Sequence, residues 1–398
     1  MSLIKTKPVD QIVITFLFTI WAGIWLSQYF FIPNATYDQI PNIMQSLIHW
    51  DAGWYMDIVQ HGYSYNGNPN VQQNIAFFPL YPIIMKVLGQ LFGLQNGVAT
   101  IFPALFFGVA SIYAFHALAR TRLHENASLF ATAAYALYPG ATFFVSAYPT
   151  SVMNLLVIAT LLAFNRKKYF LAAIAAGIST AGGALLVFLS ATITLAYANK
   201  IIFEKNQQKI SGFFQVIFFA TLSLSGIIGF MLYQKIAFGN ALAFVDVQKA
   251  WGYKSIVDRI INLVTLSPIF GGGYGSFFRS IFFLQPTGKS PEGSVEYITN
   301  TFSIIMAVYS TWILYKFKEY LLSIYSLLVL LGYIWFIGSV QGPSSTFRLL
   351  YIDIPIFIAA GIYFQNSDKK ISCLLLLAFS ALALLIQISF FASGYWVI

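Results

Sequence analysis

The chain has 398 residues, 58% of them hydrophobic and 9% charged, with a mean hydropathy of +0.73. Soluble domains carry roughly 25% charge, so a cytosolic globule is excluded. The formal net charge of +9 is scattered between apolar runs rather than gathered on one basic face, which excludes a nucleic-acid partner, and the single cysteine, Cys373, excludes internal disulfides and thiolate metal clusters.

A bilayer core of about 30 Å asks for roughly 20 apolar residues per helix, with every lipid-exposed backbone group paired inside the helix. The fold class that follows is an all-α polytopic membrane protein. The first apolar run, Ile12 to Ile32, exceeds a signal-peptide core and lacks a small-residue cleavage site before Pro33, so it reads as a retained span. Spans are expected near 10–32, 97–119, 127–147, 149–165, 169–183, 184–199, 211–236, 299–315, 320–340, 347–364 and 371–393, about eleven in all by this length criterion. They form one multi-pass domain, 1–398, with no separate soluble module and no visible repeat. The stretch Ala76 to Gly93 is apolar enough to span, but doing so would move Arg120 and Arg122 across the membrane; it reads as a juxtamembrane or re-entrant helix. Gly177, Gly182 and Gly183 are the expected break points within 169–199.

Two long connections, 33–96 and 237–298, then emerge on one side. Fourteen of the 22 Lys and Arg fall on the other side, which the positive-inside rule makes cytoplasmic. Most acids, Asp353 among them, fall with the outer loops. The expected location is the plasma (inner) membrane of a bacterium or the endoplasmic reticulum of a eukaryote.

The densest candidate site is HWDAGWYMDIVQHGY, His49 to Tyr63. On a helix, Trp50, Trp54, Asp57 and His61 would share one face by i, i+3, i+4 spacing, with Asp51 offset by about 100°. Either the carboxylates are functional, or the stretch is an interfacial helix anchored by its Trp and Tyr. AFFPLYP, Ala76 to Pro82, reads as a shaped structural turn, since Pro79 and Pro82 forbid an uninterrupted helix. ALAFVDVQKAWG, Ala241 to Gly252, offers Gln248, Lys249 and Trp251, with an amphipathic surface helix as the alternative. Arg348 opens an apolar run after a Gly-Pro turn; a mouth-level charge of this kind is a functional-site candidate, with snorkelling as the alternative. His49, Asp51 and His61 match no strong metal-ligand spacing, so neither a metal nor another cofactor is expected.

The run HWDAGWYMDIVQHGY followed by NIAFFPLYP resembles the first outer-loop signature of the PIG-V-like mannosyltransferases, in which a Trp-Asp pair, a Gly-Tyr pair and an AFFPLYP-like string occur in that order. ALAFVDVQKAWG resembles a later string of the bacterial members, and FRLLYIDIPIFIAAG, Phe347 to Gly361, their closing Arg-containing helix. The resemblance implies a GT-C glycosyltransferase with its active site on the non-cytoplasmic face. It implies transfer of a hexose, mannose in most members, from a polyprenyl-phosphate sugar to a lipid, glycan or protein acceptor.

A phosphate-linked donor already carries an activated anomeric carbon, so the protein must supply a base for the acceptor hydroxyl and positive charge for the departing phosphate. Asp51 is the first candidate base and Asp57 the second; Arg348 is the first candidate phosphate ligand and Lys249 the second. His49, Trp50, Trp54, His61, Tyr63, Gln248 and Trp251 are candidate substrate contacts. A single displacement opposite the phosphate would invert the anomeric centre. The competing class is a non-enzymatic transporter or lipid-binding protein, whose site would lie between broken helices at mid-membrane.

Overall fold

In a computed structural model, residues 7–29, 42–94, 96–203, 209–252, 256–266, 291–336 and 345–395 are described, and among them every regular element is helical. The helices are α1 (Pro8–Tyr29), α2 (Ala52–His61), α3 (Leu80–Phe92), α4 (Asn96–Ala119), α5 (Glu125–Ala136), α6 (Thr150–Asn165), α7 (Tyr169–Thr180), α8 (Val187–Phe203), α9 (Lys209–Ser223), α10 (Ser225–Phe238) and α11 (Ala243–Asp246). There follow α12 (Ile256–Thr265), α13 (Pro291–Lys316), α14 (Tyr320–Phe336), α15 (Thr346–Leu349), α16 (Pro355–Asn366) and α17 (Lys370–Ala392).

The expectation of about eleven full spans needs correction. Five helices are long and apolar enough to cross a bilayer, at Pro8–Tyr29, Gly97–Ala119, Ala184–Phe203, Ile298–Lys316 and Lys370–Ala392. Two bent pairs, broken by 65° at α9/α10 and by 82° at the 346–366 stretch, raise the number to seven if each counts as one span. The remaining expected spans are helices too short to cross unaided. The apolar run 127–147, for example, is α5 followed by a 3-10 turn at Pro139–Phe144, because Pro139 cannot continue the hydrogen-bond ladder. Summed hydropathy does not register such breaks.

The break between α7 and α8 falls at two of the three glycines expected to mark it, Gly182 and Gly183, whereas Gly177 continues α7 without interruption. Gly182 and Gly183 follow the end of α7, and a Cβ at Gly182 would meet Met153 and the Ser179 carbonyl at 2.9 and 3.1 Å. Small residues also set the closest helix contacts, as between lipid-embedded helices generally. A Cβ on Gly177 of α7 would lie 2.3 Å from the Leu222 carbonyl, and one on Gly226 of α10 would lie 2.4 Å from the Gly177 carbonyl.

Polar staples gather one end of the bundle. Arg122, after α4, donates to Glu319 at 3.1 Å and to Asn165 at 2.8 Å, joining the turns that follow α4, α6 and α13. The His124 amide donates to Gln365 at the end of α16. Helix α6 starts beside Pro149 and ends at Asn165, so a feature near Tyr148 stands at the other end of a 16-residue helix, about 24 Å away.

A buried aromatic cluster of Tyr135, Tyr138, Phe144, Tyr351 and Phe357 fills the centre, with ring separations of 5.0 Å for Tyr138–Tyr351 and Phe144–Tyr351. It anchors the broken stretch 346–366. The Tyr351 hydroxyl donates to the Tyr135 carbonyl at 2.7 Å, and that of Tyr325 to the Ile352 carbonyl at 3.0 Å. Asn300 accepts from the Thr346 and Phe347 amides at 2.8 and 3.1 Å, satisfying donors that the first turn of a helix leaves open. Asp353, counted from sequence with the outer acids, is instead fully buried and accepts from Ser326 at 2.6 Å.

Candidate active site

A cavity of about 230 Å³ lies where Asp51, the α6 N-terminus, the Gly182–Gly183 break, the segment around Phe244 to Gln248, and Arg348 converge. Its wall is largely apolar and aromatic, with Tyr55, Phe77, Phe78 and Tyr148 among the lining residues. The volume lies a little below the roughly 300–1,000 Å³ usual for ligand sites, enough for a sugar-sized head group.

Two charged side chains from distant parts of the sequence meet on this wall. Arg348 Nη1 donates to Asp51 Oδ2 at 2.6 Å, with both side chains about four-fifths buried, at 18% and 23% exposure. The guanidinium lies over the rings of Phe143 and Tyr148, 5.7 and 5.4 Å from their centroids, and its Nε has no hydrogen-bond partner among the described residues. A planar cation clamped between aromatic rings and a carboxylate is aimed rather than free to snorkel.

The position of Asp51 depends on an unusual turn. Trp50 has a φ of 57°, a left-handed conformation uncommon for a bulky residue and worth about 1–3 kcal/mol of strain. The Tyr148 hydroxyl bridges that turn. It donates to the His49 carbonyl and accepts from the Asp51 amide, both at 3.2 Å. Asp51 is thereby the residue immediately before α2, while Trp50 is left outside the helix.

The expected one-faced cluster along 49–63 is therefore only partly formed. Asp57 and His61 do pair one turn apart at 2.8 Å, but they are half to largely exposed and do not line the cavity. The Asp57 carboxylate also accepts from Asn74 at 2.6 Å, and Asn74 donates in turn to the Gly62 carbonyl, so Asp57 ties α2 to the following loop. The hydrogen bond from His61, reinforced by Asn74, holds the Asp57 carboxyl below the usual carboxylate range. His49 is buried against Phe391, with ring centroids 5.5 Å apart, and desolvation lowers its pKa from 6.5 to about 4. Neither histidine lines the cavity. Among the described residues no group of three His, Cys, Asp or Glu is arranged to hold a metal ion.

Other candidates also fall outside the cavity lining. Trp54 stacks on Phe77 at 5.7 Å and meets Trp251 edge-on at 6.0 Å, so the two indoles support the wall from behind Phe77. Tyr63 donates to the Phe77 carbonyl at 2.8 Å and packs against Phe230. Lys249 is exposed and not part of the lining, whereas its neighbour Gln248 is. The AFFPLYP turn does more than shape the chain, because Ala76, Phe77 and Phe78 form wall and the Leu80 amide donates to Ala181 beside the glycine break. Sequence reasoning missed Tyr148, for which a tyrosine before proline gives no signal. It also missed Arg259, which lies on the polar side of an otherwise apolar helix.

This is a helical membrane fold that buries a paired carboxylate and guanidinium in an aromatic cavity. The structure is similar to ArnT from Cupriavidus metallidurans in the apo state, with TM-score 0.51 and 11% identity, covering 98% of this chain and 78% of that one. It is also similar to the apo Archaeoglobus fulgidus oligosaccharyltransferase, with TM-score 0.50 and 12% identity, covering 98% of this chain and 56% of that one. Both likenesses are of the GT-C fold. In sequence, the chain is 27% identical over 172 residues to the human and mouse GPI alpha-1,6-mannosyltransferase 2, an alignment covering 39% of this chain and 34% of theirs. The chain thus spans about a third of the length of the curated relatives it matches. The family model described as Mannosyltransferase (PIG-V) matches residues 24–256, and the chain belongs to that glycosyltransferase family.

Proposed function

We propose that the chain transfers a hexose, mannose in the first instance, from a polyprenyl-phosphate sugar to a hydroxyl acceptor on the non-cytoplasmic face, with inversion. Family membership and the names of the curated relatives support mannose. The observation that carries the chemistry is the 2.6 Å contact between Asp51 and Arg348 on the cavity wall. In the resting site each charge neutralises the other. During transfer the acceptor hydroxyl gives its proton to Asp51 as its oxygen bonds to the anomeric carbon, while the bond from that carbon to the phosphate oxygen breaks. Protonation loosens the hold of Asp51 on Arg348 just as the departing polyprenyl phosphate gains negative charge. The guanidinium then stabilises the transition state more than the ground state.

The cavity end of α6 lies away from the turns of Arg122, Asn165 and Glu319, which sit among the basic loops assigned to the cytoplasm; this supports an outward-facing site. The test is transfer by the purified chain in proteoliposomes supplied with polyprenyl-phosphate mannose, polyprenyl-phosphate glucose or a nucleotide sugar. Turnover of the mannosyl lipid is expected to exceed that of the others, with Arg348→Ala losing more than Arg348→Lys, because either cation offsets phosphate charge although only Arg offers a planar fork. Use of the nucleotide sugar alone, or full activity in Arg348→Ala, would sink the reading.

A further inference from the structure

Helix α12 is amphipathic in the inverse sense to a helix on a soluble protein. Ile256, Val257, Ile260, Ile261 and Val264 are all exposed, at 49% or more. At 100° per residue they occupy one arc of about 140°. The opposite side carries Asp258, Asn262, which is buried, and Arg259, which lines the cavity. The helix packs on α14, whose Tyr333 and Phe336 belong to the same wall. In water this arrangement would expose a continuous apolar face; in a lipid interface the apolar arc is solvated and the polar side faces protein. The cavity, at about 230 Å³, is of head-group size, and a polyprenyl tail would extend from it into the lipid beside it.

We infer that Arg259 is a second cation for the donor phosphate, held at the cavity by an interfacial helix whose other face is embedded in lipid. The inference rests on the polyprenyl-phosphate reading and adds to it the entry route. Arg348 approaches the phosphate from the protein interior, paired with Asp51, and Arg259 approaches from the lipid side. A head group entering from the bilayer passes from lipid to protein between these two guanidinium groups. The apolar arc of α12 sets the depth at which Arg259 meets it, so that the phosphate is captured at the level where its tail can remain in hydrocarbon.

Binding to the purified full chain in nanodiscs tests this, with a polyprenyl monophosphate as probe and the uncharged polyprenol as control. Arg259→Ala is expected to weaken the monophosphate about ten- to hundredfold, the range of a lost hydrogen bond between charged groups. Arg259→Lys should restore most of the loss, which a folding defect would not permit, and polyprenol binding should not change. Full monophosphate affinity in Arg259→Ala, with Arg348→Ala weakened, would overturn the role of Arg259 alone; no binding to the unsubstituted chain would overturn the donor reading beneath it. For the helix, a spin label at Ile260→Cys in a Cys373→Ser background should be relaxed by oxygen more than by a water-soluble agent. The opposite order would remove α12 from the lipid.

Discussion

Asp51 and Arg348, 297 positions apart, are joined by a 2.6 Å hydrogen bond that closes one wall of the cavity, and among the described residues neither forms another ion pair. Replacing Asp51 with Asn keeps its size and removes its proton acceptor and charge. Turnover should fall by about 10² to 10⁴, the range for a general base, while folded protein persists. Asp57→Asn should retain most activity, since Asp57 lies outside the cavity and serves the loop through Asn74. Steady-state rates normalised to folded protein decide it; an Asp51→Asn enzyme within about threefold of the unsubstituted one, far short of that range, removes Asp51 from the chemistry.

Tyr148 bridges the strained turn at Trp50 and also supplies a ring beneath Arg348. Tyr148→Phe preserves the ring and deletes the bridge. With about 1–2 kcal/mol of anchoring gone, Asp51 is held less often in place, and kcat should fall about tenfold with little change in donor KM. Tyr148→Leu should raise the donor KM as well, because the support of the guanidinium is lost. Equal kinetics for Tyr148→Phe and the unsubstituted enzyme would leave the turn held by other contacts.

His49 provides a pH test of packing. Its folded-state pKa of about 4 lies below its ordinary 6.5, so between those values the unfolded chain binds a proton that the folded chain does not. Stability should therefore decrease as pH falls from about 6.5 to 4, by about 3 kcal/mol at most. Thermal unfolding of the detergent-solubilised protein at pH 7 and pH 5, at one scan rate, should show a drop in Tm that is smaller in His49→Asn. An equal drop in both would assign the acid sensitivity to other groups.

The orientation follows from charge and from the geometry of α6. A cysteine at Ser64, in a Cys373→Ser background, should react with a membrane-impermeant maleimide added to intact cells from the non-cytoplasmic side. Labelling only after the membrane is opened would reverse the topology and place the cavity in the cytoplasm.

Composition alone was enough to establish a helical membrane protein, because 9% charge and long apolar runs leave no other way to satisfy the backbone in lipid. Local motifs were enough to raise Asp51, Gln248 and Arg348 as candidates, since a charge or amide retained in an apolar neighbourhood stands out from its surroundings, and all three line the cavity. Three things were decided only by tertiary structure. The number of full-length spans was one, since helix breaks at Pro139 and at Asp353 depend on backbone direction and not on summed hydropathy. The division of the 49–63 cluster was another, since the turn at Trp50 sends Asp51 into the cavity while Asp57 remains with His61. The pairing across 297 residues was the third, and with it the place of Arg259. Spacing along a chain measures distance only within one helix, whereas Asp51, Tyr148, Arg259 and Arg348 come from four separate segments that only the packed bundle brings to a single wall.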